Sequence, residues 1–122
     1  MRIIASPLLS LSLGLSLGAA ALAANIAGTD GNNAIGSLPC SAQEAQLLAD
    51  CHFEALHKED GSFTLRILLP GGDVRYIYGQ DGKVTGTDST GSLASKQLKN
   101  KTIVHIHPAE VFEIANALID DQ

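Results

Sequence analysis

The sequence predicts an all-β fold, a single antiparallel meander of about six to eight strands that closes into a small barrel or sandwich. Two observations carry this prediction. Downstream of Cys51, apolar and polar residues alternate with a period of two, which is typical of half-buried strands. The apolar runs are separated by "KEDGS", "LPGGDV" and "GQDGKV", whose glycines suit tight hairpin turns. Strands joined by such short turns pair as antiparallel neighbours.

The chain has 122 residues, and residues 1–24 have the features of an export signal. One early charge, Arg2, precedes an uncharged run rich in Leu, Ser, Gly and Ala that ends in "ALA" at residues 21–23. Signal peptidase needs small residues at this spacing, so we expect cleavage after Ala23 or Ala24 and a periplasmic or secreted protein that is free of the membrane. The run is also about long enough to cross a bilayer, which leaves an uncleaved anchor open.

Residues 25–39, "NIAGTDGNNAIGSLP", are rich in Gly and Asn and predict a flexible lead-in to an all-β domain over residues 40–122. The chain has two cysteines, Cys40 and Cys51, and an even count in a short exported chain predicts a disulfide. Between them, "SAQE" fits a capping box ahead of a short helical turn. An extended conformation of residues 41–50 stays open.

The strands follow one another along the chain. In "VRYIY", Tyr76 and Tyr78 share the phase of Val74 and are predicted to pack inward. A strand at about 83–87 is followed by the loop "GTDSTGS", by "LASKQLK" and "TIVHIH", and by "EVFEIANALI", whose end over 115–119 fits either a strand or a helix. The other residues predicted to face inward are Cys51, Phe53, Ala55 and His57 in the first strand and Phe63, Leu65, Ile67 and Leu69 in the second.

The segment "TIVHIHPAE" holds the candidate metal ligands of the chain. His105 and His107 lie two apart on a strand and share a face, so their imidazoles can chelate a divalent ion, with Glu110 as a further ligand. However, Val104 and Ile106 alternate with the histidines and fit the buried face. We therefore predict solvent-facing histidines and no cofactor. Divalent-metal binding through His105, His107 and Glu110 is the alternative.

The net charge and the sequence motifs argue against two classes of function, nucleic-acid binding and catalysis. The formal net charge is −5, and the basic residues are scattered along the chain, whereas nucleic acid and anionic lipid require a concentrated positive face. Nucleic acid is therefore not expected as a partner. No GxSxG elbow occurs, and adjacent carboxylates such as those of Glu59 and Asp60 fall in turns. We predict a non-enzymatic protein.

The loop "GTDSTGS" is the candidate binding segment. Asp88, Ser89 and Thr90 lie between glycines, where such residues form Asx- or ST-turns, and Arg75 is of a type enriched at interface hot spots. These four residues are the predicted binding residues. The partner that they suggest is a protein of the cell envelope. The sequence leaves the oligomeric state open.

A resemblance to known proteins rests on two stretches. The chain resembles a group of small exported bacterial proteins with two N-terminal cysteines. The matching patterns are "CxF…GxxTLRIxLPGGxVRYIYxxxGxxTGTDST", from Cys51 to Thr90, and "ExFEIxxALI", from Glu110 to Ile119. The resemblance implies a β domain of the cell envelope and assigns no function. In its architecture the chain is also similar to periplasmic lysozyme inhibitors, which are small disulfide-bonded β-barrels. This second likeness implies, as an alternative function, inhibition of a lysozyme or a protease.

Overall fold

The computed structural model describes residues 25–27, 33–44 and 46–120, within which nine strands and one short helix form. The signal peptide predicted over residues 1–24 lies outside the described residues. The strands are β1 (Asn25–Ala27), β2 (Asn33–Ser41), β3 (Ala49–His57), β4 (Ser62–Leu68), β5 (Val74–Gln80), β6 (Lys83–Thr87), β7 (Leu93–Gln97), β8 (Lys101–Ile106) and β9 (Glu110–Ala115), and the helix is α1 (Asn116–Ile119).

Strands β2 to β9 form a nearly closed antiparallel barrel, which confirms the predicted all-β fold. Each strand from β2 to β6 pairs with the next, β7 to β9 do the same, and β9 returns to β2 at the pair Cys40–Phe112. β1 pairs with β2 outside this path. The barrel is open between β6 and β7, where Lys83 Nζ donates a hydrogen bond to Gln97 Oε1 at 3.5 Å.

The alternation in β3, β4 and β8 places side chains as the sequence predicts. Every second residue along these strands is buried, and in β8 the histidine His105 points outward between two inward-facing aliphatic residues. Residues of all three strands contribute to the barrel interior, which is packed with apolar side chains. Those with a relative exposure of 1% or less are Leu38, Cys40, Phe53, Leu65, Ile67, Ile77, Val104, Ile106, Phe112, Ile114 and Ile119.

The prediction that Tyr76 and Tyr78 pack inward is wrong. In β5 the buried residues are Ile77 and Gly79, whereas Tyr78 is exposed and Tyr76 is half-buried on the outer face. The reason is that the barrel interior has no space for a side chain at position 79. A Cβ atom on Gly79 would overlap the ring of Phe63, so this inward position accepts no side chain. With Ile77 and Gly79 inside, the strand alternation turns both tyrosines outward.

The flexible lead-in predicted over residues 25–39 is also wrong where the structure describes it. Residues 33–39 belong to β2, which pairs with β3 from Asn33–Leu56 to Cys40–Ala49, and Leu38 is fully buried. The Gly, Asn and Pro residues of this segment have low β propensity, which concealed the strand in the sequence. Pairing with β3 and burial of Leu38 outweigh that local preference.

The disulfide predicted between Cys40 and Cys51 is present and joins the neighbouring strands β2 and β3, with a Cα–Cα distance of 5.9 Å. The helical turn predicted between the two cysteines is absent over the described residues of that connection. Ser41, the expected N-cap, is instead the last residue of β2. A single turn remains, closed by a hydrogen bond from the Gln46 N–H to the Gln43 carbonyl at 3.3 Å.

The segment after β9, left open between strand and helix, forms α1. Leu118 and Ile119 of this helix are buried and close one end of the barrel. Asn116 attaches the helix to the β7–β8 turn: its Oδ1 accepts a hydrogen bond from Thr102 Oγ1 at 2.7 Å, and its Nδ2 donates to the Leu98 carbonyl at 2.9 Å. Within the described ranges, no helix has the length and apolar character needed to span a membrane.

Candidate functional site

Four loops meet at the end of the barrel opposite α1, and we call this the loop end. Because consecutive strands run antiparallel, every second connection falls at the same end of the barrel. Arg75, Asp88, Ser89 and Thr90, the binding residues predicted from the sequence, all lie here. The four loops comprise residues 42–48, 69–73, 88–92 and 107–109.

Arg75 closes the barrel interior at the loop end by binding two carboxylates. It faces inward at the start of β5, opposite the buried Ile67, and Glu110 faces inward at the start of β9, opposite the buried Ile106. Arg75 Nε and Nη2 donate to the two oxygens of Glu110 at 2.7 and 2.6 Å. Arg75 Nη1 donates to Asp88 Oδ1 at 3.1 Å. The bidentate fork adds geometric specificity to the ion pair.

Two members of this ion cluster, Arg75 and Glu110, are largely withdrawn from water. The side chains of Arg75 and Glu110 are 19% and 15% exposed, and that of Asp88 is 35% exposed. Hydrogen bonding to Glu110 is the main effect that raises the pKa of Arg75 above its ordinary value; Asp88 adds to it and burial opposes it. The guanidinium therefore stays charged at every pH that a folded protein meets. Its ion pairs therefore connect β5 to β9 and to loop 88–92 at the loop end throughout this pH range.

Loop 88–92 is held by its own side chains. The Asp88 carboxylate that binds Arg75 also accepts a backbone N–H of β5 at 3.0 Å. The Ser89 N–H donates to Thr87 Oγ1 at 3.3 Å, and Ser89 Oγ accepts a backbone N–H from within the loop at 3.0 Å. Asp88 and Ser89 thus serve the turn itself, while the side chain of Thr90 is exposed. Of the three loop residues predicted to bind, Thr90 is the one whose exposed side chain is not used to hold the turn.

A groove of about 440 Å³ lies between loop 42–48 and the hairpin formed by β8 and β9. His105 and His107 line this groove, and both are exposed, as predicted. Glu110 also lines it, but both carboxylate oxygens accept hydrogen bonds from Arg75. Over residues 33–44 and 46–120, no group of three or more His, Cys, Asp and Glu side chains is placed to hold a metal ion. The histidines form a wall of the groove.

Loop 42–48 projects an apolar side chain from the loop end. Leu47 is 93% exposed and is the most exposed large apolar side chain of the described residues. The disulfide Cys40–Cys51 joins the two strands between which this loop runs. Sequence analysis left residues 41–50 open between a helical turn and an extended segment, and so it did not single out Leu47. Nothing in the apolar periodicity of this short segment separates Leu47 from a core leucine.

Comparison of the chain with models of known protein families found no match. Searches among curated proteins and among solved structures likewise found no significant similarity. The likeness to small exported proteins and to lysozyme inhibitors therefore stays a prediction, and the loop end is interpreted from its own geometry.

Proposed function

We propose that this chain is an exported, non-enzymatic binding module that recognises a protein partner of the cell envelope with its loop end. The observation that carries this proposal is the protruding Leu47 on a loop whose base is closed by the disulfide Cys40–Cys51. The disulfide holds the two ends of this loop together and so reduces the conformational entropy that the loop loses on binding; such preorganisation favours affinity.

Export is supported by two independent features. The uncharged leader over residues 1–24 ends in small residues at the spacing that signal peptidase needs. The Cys40–Cys51 disulfide belongs to an oxidising compartment, because cytosolic thiols are kept reduced. Together these features favour a periplasmic or secreted protein.

The arrangement of charges at the loop end favours binding over catalysis. Arg75 forms ion pairs with Asp88 and Glu110, so the charged groups of all three residues are occupied by contacts that close the barrel. Catalytic acids, bases and nucleophiles instead need a partner geometry that leaves a reactive atom accessible to substrate.

The charge of the loop end also suggests the chemistry of the partner. Five carboxylates lie at this end against one guanidinium, that of Arg75, which pairs with Asp88 and Glu110, so the other three carboxylates make the surface acidic. A basic partner surface with an apolar pocket for Leu47 would be complementary, and complementary charge speeds encounter. The five acidic residues are Glu44, Asp50, Asp73, Asp88 and Glu110.

A second candidate function, inhibition of a lysozyme or protease, is favoured by the same loop. A disulfide-tethered segment that presents Leu47 has a shape suited to the cleft of a hydrolase. An activity assay with the purified protein tests this candidate. Absence of inhibition at micromolar protein would exclude it, whereas the broader binding proposal would stand.

The binding proposal is tested by comparing a leucine variant at the loop end with one at the opposite end of the barrel. Leu47→Asp changes the loop end, and Leu98→Asp changes an exposed leucine at the opposite end. Envelope proteins are captured on each immobilised variant and quantified by mass spectrometry. We expect a partner that wild type and Leu98→Asp retain equally and that Leu47→Asp binds at least about tenfold more weakly. Equal capture by all three proteins would contradict a role of the loop end.

A further inference from the structure

Exposed apolar side chains concentrate on one wall of the barrel. We call the outer face of β2, β3, β4 and β5 the side wall. It carries Ile35, Leu56, Leu68 and Tyr78, each more than a third exposed, and the half-buried Tyr76, whose ring lies 6.4 Å from that of Tyr78. Exposed apolar side chains that gather on one face of a soluble protein indicate an interaction site.

The side wall is also concave at its centre. A depression of about 420 Å³ opens there, with walls that include Ile35, Leu56 and Tyr76. Across this depression, the side chains at its two edges, Ile35 on β2 and Tyr76 on β5, are the ones that a facing surface meets. Tyrosine and arginine, the residue types enriched at interface hot spots, both line it, as Tyr76 and Arg66.

One row of residues across the side wall is complementary in charge and polarity to the same row read in the opposite direction. The strand register places Ile35 beside Glu54, Glu54 beside Arg66, and Arg66 beside Tyr76. Read across the four strands, the row runs apolar, acidic, basic, apolar. The two charged side chains are only loosely paired, with 4.0 Å between Arg66 Nη1 and Glu54 Oε1, and both are largely exposed. Their hydrogen-bonding capacity is available to another surface.

We propose that the side wall binds a second copy of this chain and forms a two-fold symmetric dimer. The axis runs parallel to the strands between β3 and β4, so that β2 faces β5 of the second copy and β3 faces its β4. Ile35 then meets Tyr76 of the second copy, and Glu54 meets Arg66 of the second copy, each contact being made twice. Such self-complementarity is what a two-fold interface requires.

The charge balance of the chain restricts where a second copy can bind. The chain carries a net charge of −5, so two copies repel through most of their surfaces. In the central row of the side wall, by contrast, one acidic and one basic residue cancel each other. An axis parallel to the strands also leaves both loop ends pointing the same way. The dimer does not depend on the function proposed above for the loop end.

Charge reversal gives a direct test of the dimer. Arg66→Glu places Glu54 opposite a glutamate, and Glu54→Arg places two arginines opposite each other, so each variant is repelled by its own copy. We expect each reversal to raise the dimer dissociation constant at least about tenfold in sedimentation velocity runs over a concentration series. An equimolar mixture of the two variants restores attraction at both contacts. A heterodimer is therefore expected by native mass spectrometry.

The control is Lys101→Glu, which reverses one partner of the Lys101–Glu113 ion pair on the opposite wall of the barrel. We expect it to dimerise as the wild type does. A wild-type chain that stays monomeric throughout the concentration series would overturn the proposal and leave the side wall to another occupant. A dimer that persists in both reversed variants, or a mixture that forms no heterodimer, would show that this row is not the interface. The mixture also guards against misfolding, because a misfolded variant cannot be rescued by its complement.

Discussion

The arginine at the mouth of the barrel is the residue on which the loop end depends. Arg75 follows the inward phase of β5, which brings its guanidinium within hydrogen-bonding distance of the carboxylates of Glu110 and Asp88. The Arg75–Glu110 contact joins residues 35 positions apart in the chain, and so it fastens β5 to β9 across the barrel. Partly buried charges of this kind hold one another in place, and removal of one leaves the other without compensation.

The coupling between Arg75 and Glu110 is measurable. Arg75→Met leaves the carboxylates of Glu110 and Asp88 without their positively charged partner. We expect the free energy of unfolding to fall by about 2–3 kcal/mol. The double variant Arg75→Met, Glu110→Met replaces both charges with apolar groups and should lose less than the single variant. Urea denaturation measures each loss. If the losses of the two single variants simply add in the double variant, the two side chains are not coupled.

At the scale of the element, β5 shows how packing decides which face of a strand is buried. Its sequence offers Val74, Tyr76 and Tyr78 in one phase and Ile77 with Gly79 in the other, and apolar content favours the first. The structure adopts the second, because the ring of Phe63 fills the space beside Gly79. A glycine in a strand often marks such a close approach.

Two glycines on neighbouring strands provide a matched test of this packing. Gly79→Ala in β5 would force a Cβ into the Phe63 ring, so we expect the free energy of unfolding to fall by about 3 kcal/mol. Gly86→Ala in β6 meets only Tyr78 Cδ2, at 3.9 Å, and should change stability by less than about 0.5 kcal/mol. Thermal and urea unfolding measure both. Equal effects of the two substitutions would mean that the interior beside Phe63 is not close-packed.

At the scale of the whole molecule, the sequence predicts the fold class because hairpin turns and one-sided burial are local signals. Alternation in β3, β4 and β8 leaves one choice of buried face, and the cysteine count leaves one choice of disulfide. Strand β2 escapes prediction because its Gly-, Asn- and Pro-rich sequence has low β propensity, and pairing with β3 supplies the missing stabilisation.

The candidate site is less predictable because contacts distant in the sequence build it. Sequence reasoning selects Arg75 and Asp88 but groups Glu110 with His105 and His107, although the structure pairs Glu110 with Arg75. The exposure of Leu47 depends on where β2 ends, and no pattern within the loop encodes that boundary. The strands of the barrel can therefore be predicted from local periodicity. The contacts at the loop end cannot, because they form only when distant strands come together in the closed barrel.

The barrel interior is filled with apolar side chains, and we expect partners to bind to the outer surface. Methyl NMR during titration with an apolar dye distinguishes the two surfaces of the barrel, because Ile67, Ile77 and Ile114 carry inward methyl groups and Ile35 and Leu56 carry outward ones. We predict that the inward methyl resonances stay unchanged throughout the titration, whatever the outward ones do. Saturable shifts of the inward methyl groups would reveal an internal ligand site and contradict the account.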